Sequence, residues 1–223
     1  MIEFAAALLV FLAAHSLPAA TGLRGRLMTR FGRRAYLTVY SVLSITVLIW
    51  LISAAQRAPT VFVWPPSPVT ALVPLIAMAP ACLLFVAGLA RPNPLSVSFR
   101  GGATPADAPG ILSLTRHPIL WAFFLWAGAH AAANGDVVGL IMFGGFAAFS
   151  LAGMRIMVAR ARRTLPAAEF AAAWAVADGT VGARLRRAWS GRTALELAVG
   201  AALYAGTLTA HGPVIGIDPL AAL

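Results

Sequence analysis

Residues 116–155 read RHPILWAFFLWAGAHAAANGDVVGLIMFGGFAAFSLAGMR. Between the two terminal arginines there is one charged residue, Asp136, and it sits in the short polar stretch Asn134-Gly135-Asp136. On either side lie the apolar stretches Pro118–Asn134 and Val137–Met154, each close to the ~20 residues that cross a bilayer as helix. Pro118 stands where a helix start tolerates proline, and Gly135 suits the left-handed turn that closes a helix. The segment reads as a hairpin of two membrane helices.

Outward from it, four more stretches lack Arg, Asp and Glu over comparable lengths: Phe4–Ala20, Ala35–Ala55, Val69–Ala90 and Leu197–Ile217. The expected fold is all-α, a polytopic bundle of six transmembrane helices forming one domain over residues 1–223. Composition agrees: 60% of the 223 residues are hydrophobic and 11% charged, where a soluble domain carries about a quarter charged residues. Such a chain is not disordered. Its single cysteine, Cys82, excludes a disulfide scaffold and reads as a small core residue of the third span.

The net charge of +10 comes from seventeen basic residues, all arginine, against seven acidic ones. Their placement explains them. Arg24, Arg26, Arg30, Arg33 and Arg34 follow the first span, and Arg91, Arg100 and Arg116 follow the third. Arg155, Arg160, Arg162, Arg163, Arg184, Arg186, Arg187 and Arg192 follow the fifth; Arg57 alone lies in an intervening connection. The positive-inside rule puts those three connections in the cytoplasm and both termini outside. The basic charge is thus a topology label with anionic headgroups as partner, and it gives no reason to expect nucleic acid. Glu3 precedes the first apolar run and the arginines follow it, the reverse of a signal peptide, so an uncleaved first helix is expected.

Two stripes of small residues, Ala198/Ala202/Gly206/Ala210 and Gly144/Ala148/Ala152, are expected to let helices pack closely within the bundle. The segment 166–189 carries Pro166, Glu169, Phe170, Trp174, Gly179 and Trp189. It is expected to lie along the headgroups as a lid or collar.

Chemistry has to come from the few polar groups at membrane depth. The chain has no paired intramembrane carboxylates, no His-x-x-x-His or Cys-x-x-Cys spacing and no phosphate-binding glycine loop, so proton-relay pumps, zinc proteases and ATPases lack their parts. Four histidines remain, His15, His117, His130 and His211, all in or at the end of a span. One buried histidine is as readily an interhelical hydrogen bond as a site; four of four at membrane depth favours a site. Imidazole is the usual protein ligand of haem iron, and helix bundles let such ligands face one another. His117 and His130 stand about 140° and about 20 Å apart on one helix, so they do not share an iron. His130 and His211 match in depth, about 9 and 10 Å from the outer ends of their spans, and His15 falls between the levels of His117 and His130.

Leu112-Ser113-Leu114-Thr115-Arg116-His117-Pro118, Trp126-Ala127-Gly128-Ala129-His130 and Ala133-Asn134-Gly135-Asp136 resemble the signature of the NnrU family of bacterial membrane proteins. Gly32-Arg33-Arg34-Ala35-Tyr36, Trp64-Pro65-Pro66, Pro92-Asn93-Pro94, Phe143-Gly144-Gly145-Phe146 and His211-Gly212-Pro213 extend the resemblance to about residue 217. It implies a multi-pass protein of the bacterial cytoplasmic (inner) membrane, linked to nitrite and nitric oxide respiration in denitrification. Components of the respiratory nitrite and nitric oxide reductases are its implied partners. The family is also similar to the zeta-carotene isomerase of plants and cyanobacteria, which uses haem b held by two histidines. By motif those ligands fall on His15 and His130, and His211 falls on a family histidine as well. The plant pattern has a cysteine three residues before the second ligand, and this chain has Ala127 there, without the thiol a ligand exchange needs. Depth pairs His130 with His211; the resemblance pairs it with His15.

Trp126 and Phe123 stand about one and two turns back from His130, where they either wall a haem pocket or face lipid. Arg116 and His117 are expected to bind an anionic group at the inner surface, such as a haem propionate. Arg116-His117-Pro118 also resembles the helix opening with which membrane methyltransferases of phospholipids or isoprenylated cysteines build part of an S-adenosylmethionine site. Those enzymes add an acidic pair, for which this chain offers Glu169 alone. Three functions stand open: a haem-dependent isomerase or oxidoreductase, a lipid-directed methyltransferase, and a non-enzymatic assembly or sensing partner of respiratory reductases.

Overall fold

The computed structural model describes residues 1–104 and 109–221. Nine α-helices are found among them: α1 (Ile2–Ala20), α2 (Leu23–Phe31), α3 (Arg33–Arg57), α4 (Pro68–Ala90), α5 (Pro118–Asn134), α6 (Val137–Thr164), α7 (Ala167–Ala175), α8 (Val181–Ala188) and α9 (Gly191–Ile215), with a 3-10 turn over Gly110–Ser113. The only β pairing among the described residues is an isolated bridge between Phe62 and Asp136. Each of the six predicted spans overlaps one long helix. By length and composition α3, α4, α6 and α9 suffice to cross a membrane, and α1 joins them only together with α2, from which a 71° bend separates it. Helix α5 has 17 residues, about 25 Å against a hydrocarbon core of about 30 Å.

The outside of these helices is apolar. Val39, Ile49, Val69, Ile76, Ile156, Leu195 and Val214 are all more than half exposed, a surface that suits lipid and not water. This is a helical membrane protein. Its buried positions are mostly small, among them Ala81, Ala87, Ala122, Ala127, Ala129 and Ala161, as expected where close backbone approach replaces the hydrophobic drive.

Two compact units form, Met1–Val63 with Asp136–Val138, and Trp64–Gly135 with Gly139–Leu223. In the first, α1 and α3 run antiparallel. Near one end Glu3 accepts hydrogen bonds from Arg57 and, at 3.3 Å, from the Trp50 indole. Farther along α1 the His15 ring meets Tyr40 edge-on at 6.0 Å.

In the second unit α4 is central, packed on both α5 and α9. Ser67 caps its start: the Ser67 hydroxyl accepts from the Thr70 amide at 3.2 Å, and the Thr70 hydroxyl accepts from the Ser67 amide at 3.0 Å, with Pro68 in the first turn. Such reciprocal capping satisfies amides that lipid cannot. Where α4 ends, a Cβ on Gly88 would fall 2.7 Å from the Ile119 side chain, so the start of α5 rests on glycine.

The face of α9 that meets α4 carries Thr193, Glu196, Gly200 and Tyr204. A Cβ on Gly200 would lie 2.8 Å from the Leu83 side chain, and the Tyr204 hydroxyl donates to Leu75 O at 2.9 Å. The stripe expected to pack, Ala198/Ala202/Gly206/Ala210, is exposed instead, and so are Ala148 and Ala152 of the other stripe. Polar anchors on the opposite side of α9 decide which face turns inward. Chief among them is Glu196, 5% exposed, which accepts from Arg91 (Nη2 at 3.1 Å, Nε at 3.2 Å) and from Arg192 (Nε at 3.1 Å). Arg91 is 1% exposed, and its Nη2 also donates to the Thr193 hydroxyl at 3.1 Å.

A buried guanidinium left without its carboxylate is costly, about 3–5 kcal/mol for one broken partner. Glu196→Gln is therefore expected to lower the thermal midpoint of the detergent-solubilised protein sharply, whereas Glu169→Gln, on exposed α7, leaves it unchanged. Equal midpoints for the two variants would refute the anchoring role of Glu196. Gly110→Ala is expected to behave like Glu196→Gln, because a Cβ there would sit 2.2 Å from Arg91 Cζ at a φ of +56°.

Candidate functional site

Helix α5 carries two histidines of different surroundings, His130 near its C-terminal end and His117 as its N-cap. Beyond the C-terminal end the turn into α6 is set by Gly135, at φ +63°, whose missing side chain admits Trp64: a Cβ would meet Trp64 O at 2.5 Å. The Trp64 indole donates to Ala132 O at 2.9 Å. One turn before that, His130 Nδ1 lies 2.7 Å from Trp126 O. A carbonyl only accepts, so Nδ1 carries the proton and the neutral ring keeps a bare lone pair at Nε2. Trp126 and Phe143 flank the ring at 5.5 and 5.3 Å, and Phe146 stacks on Trp126 at 5.9 Å. Phe123 reaches Trp126 edge-on but is largely exposed.

The ring of His211, on α9, lies 6.5 Å from that of His130 with an interplanar angle of 27°. Its Nδ1 is likewise tied to a carbonyl, Ile217 O at 2.7 Å. In the first unit His15 repeats the pattern: Nδ1 is 2.8 Å from Phe11 O, and the ring stacks on Phe11 at 4.2 Å. All three imidazoles thus expose Nε2 as the free ligating atom. This is how metal-bound histidines are oriented, the second ring nitrogen donating to a carbonyl. Among the described residues no three His, Cys, Asp or Glu side chains cluster as a metal site; haem iron needs only one or two protein ligands. The donor chemistry of each of His15, His130 and His211 would suit holding haem iron.

His117 belongs to a different place. The loop leading to it is held by Asn93, buried, whose Nδ2 donates to Arg116 O at 2.9 Å while its Oδ1 accepts from the Leu95 amide at 3.1 Å. Ser113 donates to Gly110 O and is placed 2.9 Å from Arg184 O, and Arg184 in return donates to Ser113 O at 2.8 Å and to Leu114 O. Arg184 is thus the clamp from α8. Arg116 turns away from His117: its guanidinium lies 3.9 Å over the Trp174 ring, donates to Trp174 O at 3.0 Å and pairs with Asp178 at 2.6 Å. Helices α7 and α8 are thereby docked on the residues that precede α5.

His117 is 9% exposed, and its Nδ1 is buried without a hydrogen-bond partner. It borders a groove of about 410 Å3 whose other walls come from α6: Met154, Arg155, Val158, Ala159 and Arg162. Residues missed by the sequence reading are of two kinds. Arg155 and Arg162 were legible as topology signals, and their seven-residue spacing also places them on one helix face. Asn93 and the Arg91–Glu196 pair have no local signal, since their partners lie 23 and 105 residues away.

A sequence model of the family described as NnrU protein matches residues 3–219. No curated protein and no solved structure matches the chain.

Burial and the neighbouring Arg116 both hold the His117 imidazole below its ordinary value. It is expected to stay neutral at pH 6.5, where an unperturbed histidine is half protonated, and to take its proton only at lower pH. Histidine-selective NMR of wild type against His117→Asn reads this directly; a midpoint at or above the ordinary value contradicts it.

Proposed function

This chain belongs to the NnrU family, and from that premise we propose that it is a haem b protein of the bacterial inner membrane, acting in redox chemistry close to nitrite and nitric oxide respiration. The observation that carries the reading is the common state of three intramembrane imidazoles. His15, His130 and His211 each commit Nδ1 to a backbone carbonyl and leave Nε2 free. A histidine at membrane depth is costly, and a tautomer prepared for ligation in all three gives the cost a purpose.

The resemblance to the two-histidine isomerase assigns the haem to His130 and His15, each of which would offer its Nε2 to the iron. His211 stands beside His130. Trp126, Phe143 and Phe146 exclude water around His130, and Asn134 Nδ2, donating to His130 O at 2.7 Å, secures the end of the helix that presents it. Reversible one-electron chemistry at iron is what a bound haem b supplies. His117, thirteen residues and about 20 Å from His130 along α5, lies apart from this centre. Arg116 directs its guanidinium to Trp174 and Asp178, and in this reading it holds no propionate of the haem. By the positive-inside rule the arginine-rich connections face the cytoplasm.

The test is the absorption spectrum of protein purified in detergent after expression with ample haem. A Soret band and split bands on reduction are expected, absent in His130→Ala, converted to a high-spin spectrum in His15→Ala, and retained in His117→Ala. A colourless wild-type preparation overturns the reading. Loss of the low-spin spectrum in His211→Ala but not in His15→Ala makes His211 the second ligand.

A further inference from the structure

The groove beside His117 is independent of the haem reading. Helix α6 has 28 residues, about 42 Å, so it outruns a hydrocarbon core of about 30 Å by roughly its last eight residues. Arg155 and Arg162 thus stand at and beyond the edge of the apolar layer. Between them on the same face lie Val158 and Ala159, with Met154 one step toward the membrane. Among the described residues no acidic side chain lines the groove. Arg155 is exposed and makes no hydrogen bond or ion pair among the described residues, and Arg162 lies over the rings of Phe170 and Trp174 at 5.4 and 5.8 Å. Facing α6 across the groove is His117, nine-tenths buried with an unpartnered ring nitrogen, at the N-terminus of α5, where the first-turn amides and the helix dipole favour a negative group.

We propose that this groove is a binding site for an anionic phospholipid, its phosphate held by Arg155, Arg162 and His117 and its acyl chain laid over Met154 and Val158. The apolar floor running into the membrane from a basic rim matches an amphiphile. A free phosphate shares the headgroup chemistry and leaves that floor uncovered. Helix α7 reaches the rim only through Arg162, which lies over Phe170 and Trp174, themselves stacked at 5.7 Å.

Native mass spectrometry of the full chain, released from nanodiscs of mixed phosphatidylglycerol and phosphatidylcholine, tests the assignment. Wild type is expected to retain phosphatidylglycerol preferentially. The double variant Arg155→Gln/Arg162→Gln is expected to lose that preference by roughly tenfold, the effect of removing charge-assisted contacts to the phosphate. Arg186→Gln/Arg187→Gln, with the same net charge, is expected to keep it, and matching thermal midpoints confirm that both variants fold. Undiminished retention in the first variant overturns the site, as does an equal loss in the second. Displacement of the lipid by inorganic phosphate at equal concentration overturns the lipid assignment.

Discussion

Taking a guanidinium out of water is tolerable only if acceptors meet its donors, and α9 supplies them to Nε and Nη2 of Arg91. Its donors reach Glu196 and Thr193 on α9, its own backbone ends α4, and its flat group lies against Gly110, where any side chain would collide. Glu196 is shared with Arg192, which also donates to Ala90 O. The end of α4, the start of α9 and the turn at Gly110–Ser113 are thus held together. The rest of the second unit follows from this junction. Ser113 then meets Arg184, Asn93 fixes Arg116 O, and α5 starts at His117 over Gly88.

Helix α5 therefore links two sites of opposite chemistry. At one end His130 sits among Trp126, Phe143 and His211, with its proton assigned to Nδ1 by a carbonyl of its own helix. At the other end His117 has a ring nitrogen without a partner and arginines of α6 across the groove. The contrast is local in origin. A histidine inside a helix finds the i−4 carbonyl, as His15 and His130 do, whereas a histidine at the N-cap precedes the helical carbonyls and has none to bond.

The helices themselves were legible because each long apolar stretch is bounded by arginine, proline or glycine. Pro68 and Pro118 open helices, Gly135 closes one, and Pro166 and Gly179 bracket the segment holding α7. The histidines were legible as well, being ionisable groups inside apolar runs. The packing faces were not. Small-residue spacing singled out Ala198, Ala202, Gly206 and Ala210, yet α9 turns Gly200 inward, because Glu196 and Tyr204 on that side have bonds to make with α4 and its end. Glu196 itself stood just outside the predicted span Leu197–Ile217; it is helical and buried because a neutralising arginine waits 105 residues earlier.

Arg116 shows the same division. From sequence it is a basic residue next to His117, suited to an anion; in space Trp174 and Asp178 occupy it, and Arg155 and Arg162 take its place beside the histidine. Hydropathy and charge along the chain determined that this is a helical membrane protein whose histidines lie in or at the ends of its apolar helices, since each of those properties depends on a residue and its immediate neighbours. Which face of each helix turns inward, which arginine is neutralised and which imidazole meets which were decided by tertiary structure alone. Those outcomes depend on partners distant in sequence, and a buried polar group takes whichever face lets all its hydrogen bonds be made.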